Sequence, residues 1–309
     1  MKVTVLAGGT GAAKFIRGLV KVVPAADLTV VVNTGDDLEW WGLHVSPDID
    51  TICYELAGLL DPDRGWGRRD ETFECREAMA VLGGPAWFSL GDRDLATHLF
   101  RTERLRAGRT LSSITSEMCT RFGIGARVLP ATDDRLRTIV TMDDGDVGFQ
   151  EFFVQRRHHG TVHAVRFEGA EQSSAAAGVL ESIAGADVVV IAPSNPITSV
   201  GPILAVPGIV HALQQTSARV TAVSPIIGTA AFSGPADRLM TMRGLPASAA
   251  GVAEAYRSFL DVLVADDGDR GSETEIANAG ARPFFTAIRI RDTADAERLA
   301  RETIHANPV

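Results

Sequence analysis

The run Val3-Thr4-Val5-Leu6-Ala7-Gly8-Gly9-Thr10-Gly11-Ala12-Ala13-Lys14-Phe15 changes character twice. A β-branched, apolar segment ends in clustered glycines, and a helical apolar period (Phe15, Ile16, Leu19, Val20, Val23) begins directly after them. This reads as a strand, a turn and a helix that Pro24 closes. Glycines at such a turn let the backbone approach a ligand, and the free N–H groups of a helix start attract phosphate. Gly9, Thr10 and Gly11 form the candidate cradle, with Lys14 adding positive charge one turn on. Taken alone the motif is ambiguous. It is neither a full Rossmann fingerprint nor a P-loop, which ends in Gly-Lys-Ser/Thr, and glycine turns after a first strand also arise for packing reasons.

The alternation repeats along the 309 residues. Leu28-Thr29-Val30-Val31-Val32 is an almost wholly apolar strand, as expected of a parallel strand covered on both faces. Further strands are expected at 186–192, 220–223, 262–264 and 284–290, between helices near 179–183, 208–215 and 250–259 and before a terminal helix over 292–305. The expected fold is α/β: a Rossmann-like, mostly parallel, doubly wound sheet formed by residues 1–60 and 175–309. Residues 61–174 differ in character. They hold a turn-rich start, Asp61-Pro62-Asp63-Arg64-Gly65-Trp66-Gly67, and helical patterns near 71–82 and 104–126. Segments 137–142 and 147–154 then flank an Asp-Gly turn, the sign of an antiparallel hairpin, and 162–167 adds a strand. This part reads as an α+β insertion that contributes to the ligand pocket.

Composition excludes several classes. A net charge of −9 argues against a general binder of nucleic acid or anionic membrane, which needs a basic face. The three cysteines, Cys53, Cys75 and Cys119, form no CxxC pair, as suits free thiols in a reducing cytoplasm. No apolar run approaches membrane-spanning length, and the N-terminus reads as a strand rather than a signal peptide. The expected location is therefore cytoplasmic, with small molecules as partners.

Strand ends carry the remaining chemistry. The second strand delivers Asn33-Thr34-Gly35-Asp36-Asp37, and Ser46-Pro47-Asp48-Ile49-Asp50-Thr51 opens the next helix. Two acidic pairs at the ligand-binding end of an α/β sheet suit Mg²⁺, a cation that keeps several waters and bridges to phosphates. Each pair alone also fits a turn or a helix cap; beside a phosphate loop they point to a metal site. The run Trp87-Phe88-Ser89-Leu90-Gly91-Asp92-Arg93-Asp94-Leu95-Ala96-Thr97-His98, with Trp40, Trp41 and Trp66 nearby in sequence, fits either a platform for a flat heterocycle or core aromatics before a capped helix. Pro193-Ser194-Asn195-Pro196 offers hydroxyl and amide groups to a phosphate or nucleotide. His158, His159 and His163 lack companion ligands at metal-site spacing, so a metal reading there is disfavoured.

Four stretches taken together, Gly8-Gly9-Thr10-Gly11 with Lys14-Phe15, 46–51, 90–98 and 193–204, resemble the 2-phospholactate transferase family of coenzyme F-420 biosynthesis, with 61–67 and Ser224-Pro225-Ile226-Ile227 in support. The resemblance keeps one order from the first strand to at least Asp269. It implies a Mg²⁺-dependent transferase that moves a phosphorylated three-carbon acid from a guanosine-diphospho donor to the terminal ribityl hydroxyl of the deazaflavin Fo. GMP is released. It also implies a Rossmann-like core with a smaller insert, and a homodimer. By match to the family motif, Asp50 contacts the ribityl hydroxyl, as base or as metal ligand. Asp36 and Asp48 are the further metal candidates, ahead of Asp37. Gly9, Thr10, Gly11 and Lys14 take the diphosphate, and Ser194 and Asn195 the nucleotide. Trp87, Ser89, Asp92 and Arg93 line the deazaflavin pocket, although some family members carry a basic residue where Ser89 stands. The acid is left open among lactyl, enolpyruvyl and glyceryl donors, since a methylene-sized difference is worth only about 1–3 kcal/mol. Two other readings remain: a non-catalytic guanine-nucleotide-binding regulator on the same fold, and, more weakly, a Rossmann oxidoreductase, for which the glycine fingerprint is incomplete.

Overall fold

The computed structural model describes residues 1–232 and 234–306. β1 (Val3–Ala7) leads into α1 (Gly9–Val22); β2 (Leu28–Val32) leads into a hairpin of β3 (Leu38–Trp40) and β4 (Leu43–Val45), then α2 (Pro47–Leu56). Three helices follow, α3 (Glu74–Val81), α4 (Asp92–Arg106) and α5 (Leu111–Arg121), before β5 (Arg127–Pro130). A separate antiparallel sheet holds β6 (Arg137–Met142), β7 (Gly145–Gly148) and β8 (Val162–Glu168). The chain continues through α6 (Val179–Ala184), β9 (Val188–Ile191), α7 (Gly201–Ala205), α8 (Ile209–Gln215) and β10 (Arg219–Val223). Its last part holds the ribbon β11 (Ile226–Ile227) and β12 (Ala230–Ala231), then α9 (Ala236–Met242), α10 (Ala249–Ala255) and β13 (Val262–Ala265). α11 (Glu273–Asn278), β14 (Arg282–Phe285) and α12 (Thr293–Ile304) complete it.

Seven strands form the main sheet in the order β14-β13-β10-β9-β1-β2-β5, every neighbouring pair parallel. The chain winds outward from β1 through β2 to β5, then returns to β9 and winds the other way. The strand order therefore reverses between β1 and β9, the place where open α/β sheets bind ligands. The expected doubly wound, Rossmann-like sheet is present. Alternate residues serve opposite faces: Val3, Val5, Ala7, Val30, Val32 and Val190 pack under α1, α2 and α12, while Leu6, Val31, Val189 and Ile191 join the core on the other side. On the first face α1 and α12 cross closely. A Cβ on Gly18 would fall 2.1 Å from the backbone carbonyl of Ala296.

Several boundaries differ from the sequence reading. α1 starts at Gly9, so the glycines are the first turn of the helix rather than a loop before it, and Gly9 has a φ of +74° that favours glycine. The helical stretch 104–126 is two helices, because Gly108 takes a φ of +81° and Thr110 caps α5 by accepting from Ser113 N–H. β5, inside the segment assigned to the insertion, pairs with β2 in the main sheet. The 61–174 segment thus makes two excursions, a helical one before β5 and the antiparallel sheet after it. β7 ends at Gly148, and 151–155 form one wide helical turn. β14 stops at Phe285 because its neighbour β13 ends at Ala265; the Asp266 carboxylate then accepts from Ile288 N–H at 3.2 Å. The terminal residues 307–309 of the expected core segment lie outside the described residues.

Candidate active site

The two strand ends at the reversal point are tied together. Ser194, just beyond β9, donates its hydroxyl to the Gly8 carbonyl oxygen at 2.8 Å. The glycines here make room for protein as well as for a ligand: a Cβ on Gly8 would sit 2.9 Å from Asp48 Oδ2, and one on Gly11 would sit 2.4 Å from the Pro193 oxygen. No side chain caps α1, so beyond Gly9 its opening N–H groups face the space in front of the helix.

Asp48 is bolted to this turn. Gly9 N–H donates to its Oδ1 at 2.9 Å and Asn33 Nδ2 to its Oδ2 at 2.9 Å, while the Asn33 oxygen accepts from Gly35 N–H at 2.7 Å. Burial pushes the Asp48 carboxyl up to about 6, against the two hydrogen bonds that favour its ionised form. Asp36 is pushed well above the usual carboxylate range by burial and by the charge of Asp48. Its Oδ1 is buried with no hydrogen-bond partner. Two repelling acids, one with an unsatisfied oxygen, are a fitting donor set for a hard dication carried in with phosphates.

Asp50, one turn into α2, faces a different partner. The fully buried Arg101 of α4 grips both its oxygens: Nη1 donates to Oδ2 at 3.1 Å and Nη2 donates to Oδ1. Burial raises the Asp50 carboxyl, while Arg101 and His98 oppose the rise. His98 lies between two acids, with Nδ1 3.6 Å from Asp50 Oδ2 and Nε2 3.3 Å from Asp94 Oδ1. Tyr54 donates to Asp94 Oδ1 at 2.5 Å. Burial disfavours the Asp94 charge, yet the nearby His98 imidazole and the hydrogen bond from Tyr54 outweigh it and hold that carboxyl below its ordinary value.

A cavity of about 540 Å³ gathers these groups. Gly9, Thr10, Gly11 and Lys14, the acids Asp36, Asp48 and Asp50, Ser194, Asn195 and Ser89 all line it. Aromatic lining comes from Trp66 and Phe88 on one stretch of chain and from Phe149, Phe153 and Phe232 on two others. Asn195 spends its side-chain oxygen on Ile197 N–H at 2.9 Å, and Ser89 Oγ accepts from Arg76 at 2.8 Å.

Three residues placed by sequence in the deazaflavin pocket do not line the cavity. Trp87 packs edge-on against Trp40 at 4.7 Å. Asp92 accepts from Glu74 and Cys75 N–H, both at 3.0 Å, and so caps α3. Arg93 is exposed, 3.8 Å from Asp70. The reason is helical geometry: α4 begins at Asp92, and its inward face is Asp94, His98 and Arg101, at i, i+4 and i+7. The three-acid metal set is not assembled either. No group of three metal-binding side chains converges among the described residues, and Arg101 occupies Asp50.

Arg101 and Tyr54 escaped sequence reasoning, as did Phe149, Phe153 and Arg289, which reach the cavity from segments distant in sequence. One signal was present: a charged stripe on α4 where an apolar one is usual.

The chain is 44% identical to a phosphoenolpyruvate transferase of Streptomyces griseus, with 98% of each chain covered. It is 46% identical to one of Streptomyces avermitilis, covering 98% of this chain and 97% of the relative. With the 2-phospho-L-lactate transferase of Methanococcoides burtonii it shares 42% identity over 97% of each. A crystal structure of a UPF0052-family protein from Bacillus halodurans has the same fold, with a TM-score of 0.68 at 18% identity over 98% of this chain and all of that one. No helix among the described residues is long and apolar enough to cross a membrane. With its residues 3–306 matching the family described as 2-phospho-L-lactate transferase CofD, and transferases as its relatives, the chain belongs to the CofD family of transferases.

Proposed function

We propose that the protein transfers a phosphorylated three-carbon acid from a guanosine-diphospho donor to the ribityl hydroxyl of the deazaflavin Fo, releasing GMP, as a step in making coenzyme F-420. One observation carries the reading. The uncapped start of α1, a repelling pair of buried acids and a third acid on an arginine all open into one cavity at the strand-order reversal. The names of the relatives support phosphoenolpyruvate or 2-phospho-L-lactate as the group moved.

The diphosphate lies against the N–H groups of Thr10 and Gly11, with Lys14 adding charge; Gly9 N–H is committed to Asp48. Asp36 and Asp48 would hold Mg²⁺, which when bound offsets charge on the diphosphate. Asp50 stands outside that pair because Arg101 takes one lone pair of each oxygen. Its remaining lone pairs accept the hydrogen bond of the ribityl hydroxyl and aim its oxygen at the phosphorus bearing the acid. Trp66, Phe88 and Ser89 take the deazaflavin ring, and Asn195, through its amide nitrogen, the nucleotide.

The test combines purified protein, Fo, Mg²⁺ and the lactyl, enolpyruvyl and glyceryl donors together, with products read by mass spectrometry. The expected result is GMP and one dominant deazaflavin phosphodiester. Binding of guanosine nucleotide with no consumption of Fo would instead identify a regulator, and no GMP from any donor would remove the transferase reading.

A further inference from the structure

α4 turns an unusual face inward. Asp94, His98 and Arg101 share one stripe and are all buried, where an amphipathic helix carries apolar side chains. Arg101 has no exposed surface and is absent from the cavity wall, whereas Asp50, which it grips, is part of that wall. Removing an arginine from water is costly, and a well-packed apolar pair in place of a buried ion pair holds a fold as well or better. Stability alone is a poor reason for this pair. Its geometry is a better one.

We infer that Arg101 is a positioning residue for the transfer: it clamps the Asp50 carboxylate in one plane, so that the lone pairs left on the cavity side meet the attacking hydroxyl. The inference rests on the transferase reading above and deepens it. The guanidinium is itself held. Besides Asp50, Nη1 lies 3.4 Å from the His44 carbonyl oxygen and 3.3 Å from His98 Nδ1, and Nη2 lies 3.9 Å from Met118 Sδ. A guanidinium only donates, so Nδ1 is the accepting nitrogen of His98. The other ring nitrogen, Nε2, faces Asp94 at 3.3 Å from Oδ1. Tyr54 and Thr97 in turn fix Asp94 and Tyr54 in place, the tyrosine hydroxyl lying 2.5 Å from the acid and 2.7 Å from the threonine oxygen. One fork therefore orders both the acid and the imidazole beside it. Lysine would supply charge but no plane.

The experiment measures kcat and both KM values for wild type, Arg101→Lys, Asp50→Asn and the double variant Asp50→Asn/Arg101→Lys, with thermal melting of each. Arg101→Lys is expected to lower kcat by roughly 10²-fold, the scale of a misplaced reacting group, with donor KM within about twofold of wild type. In the Asp50→Asn background the same change is expected to alter kcat by less than about twofold, as for residues acting as one unit. Equal losses in both backgrounds, or wild-type kcat for Arg101→Lys, would overturn the inference. If Arg101→Lys does not fold, Asp50→Asn/Arg101→Met, which removes both charges, is compared with Asp50→Asn: equal kcat supports action through Asp50, and a further drop of tenfold or more overturns it. A wild-type protein that transfers nothing would defeat the transferase reading itself, a separate result.

Discussion

Asp48 accepts two hydrogen bonds and is still pushed up to about 6, so desolvation outweighs both. The buried carboxyl gains a proton as pH falls through about 6, whereas in the unfolded chain it stays ionised to near its ordinary 3.8. Its burial thus costs stability above that window, and the cost disappears as pH falls. A bound dication needs the ionised form, so binding must expel the proton. Calorimetric titration of Mg²⁺ with nucleotide, in buffers of different ionisation heat, should show more proton release at pH 5.5 than at pH 8. Equal release at both, or no loss of the difference in Asp48→Asn, would remove Asp48 from the cation site. Asp48 and Asp50 were both legible as acids at a strand end. Their different surroundings were not, because each is set by a neighbour: Asn33 and Gly9 for one, Arg101 for the other.

At the scale of elements, α1 supplies the N-terminal turn and its far side fixes the helix against α12. Gly18 marks that crossing. Alanine there gains about 1 kcal/mol of helix propensity, but its Cβ would fall 2.1 Å from the Ala296 carbonyl, which the backbone must move to relieve. Overpacking costs typically 1–3 kcal/mol, and contact with backbone belongs at the upper end. Gly18→Ala is therefore expected to lower the urea midpoint; an unchanged or higher midpoint would show that the two helices separate freely. α4 shows why element type is easier to read than element role. The sequence offers a capped helix after Asp92 or Asp94 as one of two readings of that run, and which face turns inward depends on what α2 presents to it.

The candidate site lies where the connections leaving the paired strands β1 and β9 diverge, and ligand should tighten that seam first. Hydrogen exchange with and without guanosine diphosphate and Mg²⁺ is expected to show protection at 8–14 and 193–201, with little change in β6, β7 and β8. Protection confined to the antiparallel sheet would relocate the nucleotide. An acidic chain binding an anion also needs local help, and the cavity has it in the N-terminal turn of α1, Lys14 and Arg289.

The sequence by itself determined the strand–turn–helix alternation, the parallel doubly wound sheet, the glycine turn and the strand-end acids. These are encoded in periods of two and 3.6 residues and in local turn chemistry, which neighbouring residues suffice to express. Tertiary structure alone decided which acids pair with each other and which with an arginine, why Trp87, Asp92 and Arg93 turn away, and how three distant aromatic segments close one cavity. Asp50 and Arg101 stand 51 residues apart on different helices. No local pattern joins them; the packing of α4 against the start of α2 does.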